Sequence, residues 1–128
     1  MVSISRATRI ADRIREELSD LLVKYVQDPR LAGISITDVN VDRELAFANI
    51  YYSSLEGSER AKEILEGLQH AQGFLRSELA KRIRLRTFPR LRFHYDPTFE
   101  QAERIEKLIA TIHAEADKPS SEEPPQNG

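Results

Sequence analysis

Seven apolar side chains between Ile10 and Val26 recur with the period of an α-helix, and no other feature of the chain constrains its fold as tightly. Ile10, Ile14, Leu18, Leu21, Leu22, Tyr25 and Val26 follow one another in steps of four, four, three, one, three and one. That spacing keeps them on one face of a 3.6-residue period. Arg6, Arg9, Asp12, Arg13, Glu16 and Asp20 take the other faces. A long helix with one apolar face needs a second layer to cover it. Ser5 stands where an N-cap is wanted. Asp28-Pro29 sets the far limit, because proline restricts the residue before it.

The second layer follows directly. Ile34, Ile36, Thr37, Val39 and Val41 concentrate β-branched residues in 34–42, Asp42-Arg43-Glu44 makes a short turn, and Leu45 to Ser54 reads as the returning strand of a hairpin. The apolar positions slip from even (Ile34, Ile36) to odd (Val39, Val41), which predicts a bulge near Asp38. Gly57-Ser58 then caps a helix with apolar positions Ala61, Ile64, Leu65, Leu68 and Ala71, and the stripe continues as Leu75, Leu79 and Ile83. Gly73 interrupts it. An interior glycine costs about 1 kcal/mol relative to alanine, so the spacing predicts a helix–kink–helix at Ala71-Gln72-Gly73. A close-packed glycine is the plainer alternative.

Leu91, Phe93 and Tyr95 alternate with Arg92, His94 and Asp96 as a third, half-buried strand. Asp96-Pro97-Thr98 opens a last helix, with Ile105, Leu108, Ile109 and Ile112 as its expected inward stripe. Residues 117–128 are polar and proline-rich, the composition of a disordered tail. The expectation is one α+β domain over residues 1–116, a three-stranded sheet covered by helices, followed by that tail.

A formal net charge of −2 taken alone argues against nucleic acid, but its placement matters more than its sum. The tail holds Asp117, Lys118, Glu122 and Glu123, which leaves 18 basic and 18 acidic side chains in residues 1–116. Between Phe74 and Arg92 lie Arg76, Lys81, Arg82, Arg84, Arg86, Arg90 and Arg92 against Glu78 alone. A field of this kind acts over a Debye length of roughly 8 Å at physiological salt, while distant compensating charges are screened. The body is therefore neutral with one basic stripe.

The chemistry of catalysis is poorly represented. With no cysteine, disulfides, thiolate metal sites and thiol nucleophiles are excluded, which fits a reducing, cytoplasmic setting. His70, His94 and His113 fall in no metal-ligand spacing, and Glu16 and Glu17, as helix neighbours, point about 100° apart. No phosphate loop, nucleophile elbow or His-Glu-x-x-His occurs. No apolar run is long enough for a membrane span or a signal peptide core. The chain is expected to be no enzyme, to bind no metal, cofactor or small-molecule substrate, and to act as a monomer.

Arginine suits phosphate because its planar fork offers bidentate, permanently charged donors. Arg76, Lys81, Arg82, Arg84, Arg86, Arg90 and Arg92 are thus the candidate RNA contacts, and Arg6, Arg9 and Arg13 of the first helix are secondary ones. An acidic protein partner is the competing occupant of such a stripe, and a general RNA-binding module is the nearer alternative.

The element order resembles the type II KH domain, in which a Gly-x-x-Gly loop between two helices clamps nucleotides. Here Ala71-Gln72-Gly73 stands at that junction instead. With this triplet, an ordered series of segments is similar to the ribosome-binding factor A family. The series is Arg9-Ile10-Ala11, Glu17-Leu18, Leu21-Leu22, Asp28-Pro29-Arg30-Leu31, Ile36-Thr37-Asp38-Val39 and Ala48-Asn49-Ile50-Tyr51. It continues with Gly73-Phe74-Leu75-Arg76-Ser77-Glu78-Leu79, Arg82-Ile83-Arg84-Leu85-Arg86, and Pro89 with Leu91, Phe93 and Asp96. The match spans about residues 5–112. The resemblance implies a KH-like fold and a cytoplasmic, non-catalytic factor of small ribosomal subunit maturation. Its partners would be the small subunit, its precursor and ribosomal RNA, bound late in maturation and left before translation. The absent Gly-x-x-Gly favours shape and phosphate recognition of folded RNA over a reading of single-stranded bases.

Overall fold

The computed structural model describes residues 1–116, so the tail expected at 117–128 lies outside the described residues. The chain divides into two compact units, one from Met1 to Asp96 and another beginning at Pro97. In the first unit, α1 (Ile4–Lys24) leads through a 3₁₀ turn (Pro29–Leu31) to β1 (Ile34–Val41) and β2 (Phe47–Ser54). A second 3₁₀ turn (Gly57–Arg60), α2 (Ala61–Arg82) and β3 (Arg90–Tyr95) follow. The second unit contains α3 (Thr98–Ala116). The architecture is α+β, as the residue pattern implies.

The helix α1 starts two residues earlier than Ser5 suggests. Ser3 is the N-cap, its hydroxyl accepting the Arg6 backbone N–H at 3.0 Å. A cap must satisfy an amide three residues on, and capping from Ser3 leaves Ser5 inside the helix.

The sheet order is β1-β2-β3, antiparallel between β1 and β2 and parallel between β2 and β3. The register slips between Ile36 and Asp38, the bulge that the broken alternation announces, and it returns both Ile36 and Val39 to the buried face. The hairpin turn places Leu45 in the left-handed region at φ 57°. It is held there by Leu45 N–H donating to Asp42 O and by Phe47 N–H donating to the Asp42 carboxylate at 2.7 Å.

Ile14, Leu18 and Leu21 of α1, Ile50 and Tyr52 of β2, and Ile64, Leu68, Leu75 and Leu79 of α2 form one fully buried core. It explains why α2 does not divide. The helix runs unbroken through Ala71, Gln72 and Gly73, so the expected split into two helices is corrected. Burying a leucine contributes about 1.5–3 kcal/mol. Leu68 on one side of Gly73, with Leu75 and Leu79 on the other, thus outweighs a glycine cost near 1 kcal/mol. A second correction concerns α3, in which no residue is buried. Ile105, Leu108, Ile109 and Ile112 are all exposed, because the core cluster is completed by residues between Ile10 and Leu91.

Candidate nucleic-acid interface

Two buried side chains aim the basic segment. The helix α2 ends at Arg82, and Ile83 is buried in extended conformation while Leu85 packs half-buried against the core. Arg84 and Arg86, alternating with them, face solvent. On α1, Arg6, Arg9 and Arg13 are exposed beside the buried Ala7, Ile10 and Ile14. A groove of about 290 Å³ brings the two segments together, lined by Arg6, Arg9, Arg13 and Arg84 with Ile83 and Leu85. The secondary candidates of α1 therefore join one member of the primary stripe in a single basic groove.

The remaining basic residues separate by what they touch. Arg82 bonds Glu17 at 3.0 Å and Asp20 at 3.3 Å and lies over the Tyr25 ring at 5.4 Å. The Glu17 hydrogen bond, ahead of the one to Asp20, raises its pKa. Arg13 donates to the Arg82 carbonyl oxygen at 3.1 Å, so α1 also satisfies the end of α2. Arg76 donates to the carbonyls of Phe88 and Pro89, holding the approach to β3. Lys81 pairs with Glu78 at 3.0 Å, and the Arg92 guanidinium sits 3.4 Å from the centre of the Phe47 ring. Among the described residues, the side chains of Arg6, Arg9, Arg84, Arg86 and Arg90 make no ion pair or hydrogen bond.

The Ala71-Gln72-Gly73 triplet is not a loop, and Ala71 packs half-buried against the core. Gln72 donates to Leu91 O at 3.2 Å, tying α2 to β3. A β-carbon on Gly73 would meet nothing within 4 Å, so close packing does not account for this glycine. Its exposed face leaves the helix backbone open to approach, with Phe74 exposed beside it.

Two features escaped sequence reasoning. Arg60, inside an acidic run, is only 14% exposed and donates to the carbonyls of Ala32 and Arg30 while pairing with Glu56 and Glu63. Asp28 both caps the first 3₁₀ turn and pairs with Arg30 at 2.7 Å. The Arg30 side chain first, then its backbone N–H, hold the Asp28 carboxyl at about 2. The Asp28-Pro29 dipeptide pointed to a helix limit and gave no sign of this second role.

Among the described residues no group of three or more His, Asp or Glu could hold a metal ion, and no helix is long and apolar enough to cross a membrane. Residues 6–109 match the family model described as ribosome-binding factor A.

The chain belongs to the ribosome-binding factor A family.

A ribosome-binding factor A from Aromatoleum aromaticum is 41% identical over 120 residues, covering 94% of this chain and 94% of that protein. The solution structure of a Thermotoga maritima protein described as a candidate ribosome binding factor A is 30% identical with a TM-score of 0.64. It covers 73% of this chain and 90% of that one. A Thermus thermophilus ribosome binding factor A, fitted into a cryo-electron microscopy map of a 30S complex, is 25% identical with a TM-score of 0.53. That match covers 72% of this chain and 92% of the other. The resemblance carried by the sequence segments is thereby confirmed, and the ribosome-binding factor A family is named for ribosome binding and not for a reaction.

Proposed function

We propose that this chain is a maturation factor of the small ribosomal subunit that binds precursor particles through phosphates of folded ribosomal RNA. The observation that carries this reading is the groove in which Arg6, Arg9 and Arg13 of α1 meet Arg84 beyond α2. Arg86, two residues beyond Arg84, is exposed and among the described residues makes no ion pair, and Arg90 adds a further exposed cation on β3. Arg76, Lys81, Arg82 and Arg92 support it by fixing the backbone and the neighbouring side chains.

An unbroken α2 offers no loop at Ala71-Gln72-Gly73 with which to clamp four nucleotides in the KH manner. Recognition by shape and phosphate follows, with the bare Gly73 face allowing a sugar-phosphate backbone to come close. As the family resemblance implies, the chain engages particles late in maturation, near the ends and decoding-region helices of the RNA. It leaves before translation, acting in the cytoplasm as a monomer with no catalytic step, cofactor or small-molecule substrate.

Chemical footprinting of ribosomal RNA in small subunits, with and without the protein, tests this. Protections should cluster on a few helices and disappear with Arg9→Glu/Arg84→Glu. The same protections from that variant would overturn the groove assignment. Association that survives nuclease digestion would point to a protein adaptor instead.

A further inference from the structure

The helices α1 and α2 of the first unit cover one face of the sheet, and the chemistry of the opposite face is unlike that of an ordinary solvated surface. The register places Phe47, Asn49 and Tyr51 of β2 on it, with Arg90, Arg92 and His94 of β3 and Asn40 of β1. These groups are organised into two stacked pairs. The Arg92 guanidinium lies 3.4 Å from the centre of the Phe47 ring. The His94 ring stacks on Tyr51 with centroids 5.1 Å apart and an interplanar angle of 30°. A chain of polar contacts runs from the second pair across all three strands: His94 Nε2 lies 3.0 Å from Asn49 Oδ1, and Asn49 Nδ2 donates to Asn40 Oδ1 at 3.1 Å.

From these contacts we infer that this sheet face is a second RNA-binding surface, which takes unpaired bases by stacking. It is distinct from the basic groove between α1 and the segment after α2. Three properties support the assignment. The outermost groups of both stacks, Arg92 and His94, are exposed and planar, and a guanidinium or an aromatic face is what a splayed-out base stacks on. Phe47 and Tyr51 are four residues apart on one strand, about 13 Å at the usual rise, which leaves room for two bases side by side. Asn49, with Asn40 beside it, lies between the stacks, and these amides offer donors and acceptors to base edges.

Charge selects RNA over protein. Arg90 and Arg92 are exposed on this face, and Asp38, opposite Tyr51, is the acid on its far strand. The paired positions here carry no aliphatic side chain: Ser35, Asp38 and Asn40 stand on β1, and Ser53 follows Tyr51 on β2. A helix or strand of a protein partner would find no aliphatic surface to bury, whereas base–aromatic stacking is worth about 1–3 kcal/mol per base without one.

Fluorescence anisotropy with a short fluorescein-labelled oligouridylate tests the inference on the full chain over a range of salt. Tyr51→Ala and His94→Ala should each weaken binding roughly tenfold, with the salt slope unchanged, since stacking releases no counterions. Tyr51→Phe should restore it. Arg84→Glu, in the basic groove, should lower the slope instead, so failure of one site is distinguishable from failure of the other. His94 is exposed, so its variant remains informative if Tyr51→Ala does not fold, and thermal melting reports which variants are folded. Absence of oligouridylate binding by the parent chain would overturn the inference. So would His94→Ala binding as the parent does, or sheet variants that lose only a nuclease-resistant protein association.

Discussion

A β-carbon added to Gly67 would stand 2.9 Å from Cδ2 of Leu31 and 3.2 Å from Cβ of Arg30. The glycine lets α2 rest directly on the 3₁₀ turn that follows α1. Six residues on, Gly73 has nothing within 4 Å. Alanine at the two positions should therefore act with opposite sign. Gly67→Ala should destabilise by about 1–2 kcal/mol, because overpacking costs about 1–3 kcal/mol and outweighs the helix-propensity gain. Gly73→Ala should stabilise by about 0.5–1 kcal/mol. Urea denaturation reads both. If Gly73→Ala also weakens binding to small subunits while raising stability, the open helix face is a contact surface.

Arg82 and Arg84 are two residues apart but have opposite surroundings, and salt titration should separate them. Removing one phosphate contact on duplex lowers the log-affinity versus log-salt slope by about 0.9. Arg84→Ala should show that change with an unaltered melting temperature. Arg82→Ala should lower the melting temperature, since Glu17 and Asp20 lose their partner, and should leave the slope closer to that of the parent. Equal slopes for the two variants would remove the distinction.

Much of this arrangement was legible in the residues alone, but only where information is local. The α1 stripe from Ile10 to Leu21, the bulge beside Asp38 and the exposure of Arg84 and Arg86, alternating with Ile83 and Leu85, follow from periodicity and appear as expected. Tyr25, placed on the stripe, is instead exposed just past the end of α1 at Lys24. The partner of Arg82 is Glu17, 65 positions away, and no spacing rule reveals it. The role of Gly67 depends on Leu31 for the same reason, which is why Gly73 drew attention instead. The amphipathic pattern of α3 correctly marks a helix; periodicity says that a face is apolar, not that something covers it.

Acid titration should expose the Asp28–Arg30 pair. The Asp28 carboxyl titrates at about 2 in the folded chain against 3.8 for the free group. The unfolded chain therefore binds this proton first as pH falls, so the pair's contribution is complete above about pH 4 and is lost as pH falls toward 2. Asp28→Asn should have a lower melting temperature than the parent at neutral pH, and the gap should narrow through that window. A gap that stays constant from neutral pH to pH 2 would show that the pair contributes no pH-dependent stability.

The Tyr52 phenol, almost fully buried, donates to Ala61 O at 3.2 Å and meets Tyr95 edge-on. Tyr52→Phe should cost about 0.5–1.5 kcal/mol at neutral pH, the usual worth of one such bond. Burial pushes the Tyr52 pKa up, so stability should fall as pH rises past 10, where the unfolded chain loses this proton first. The phenylalanine variant should decline less steeply in alkaline denaturation, and parallel declines would contradict the assignment.

The grip of α1 on the end of α2, through Glu17 and Asp20 on Arg82 and through Arg13 on the Arg82 carbonyl, fixes the shape of the surface proposed to meet RNA. A synthetic peptide of residues 74–92 would carry the whole basic stripe yet lack Arg6, Arg9 and Arg13. It would attract any polyanion and prefer none. On the proposed reading selectivity is a property of tertiary assembly: the cationic constellation comes into being when the two helices close on each other, and it vanishes with unfolding although every charge remains.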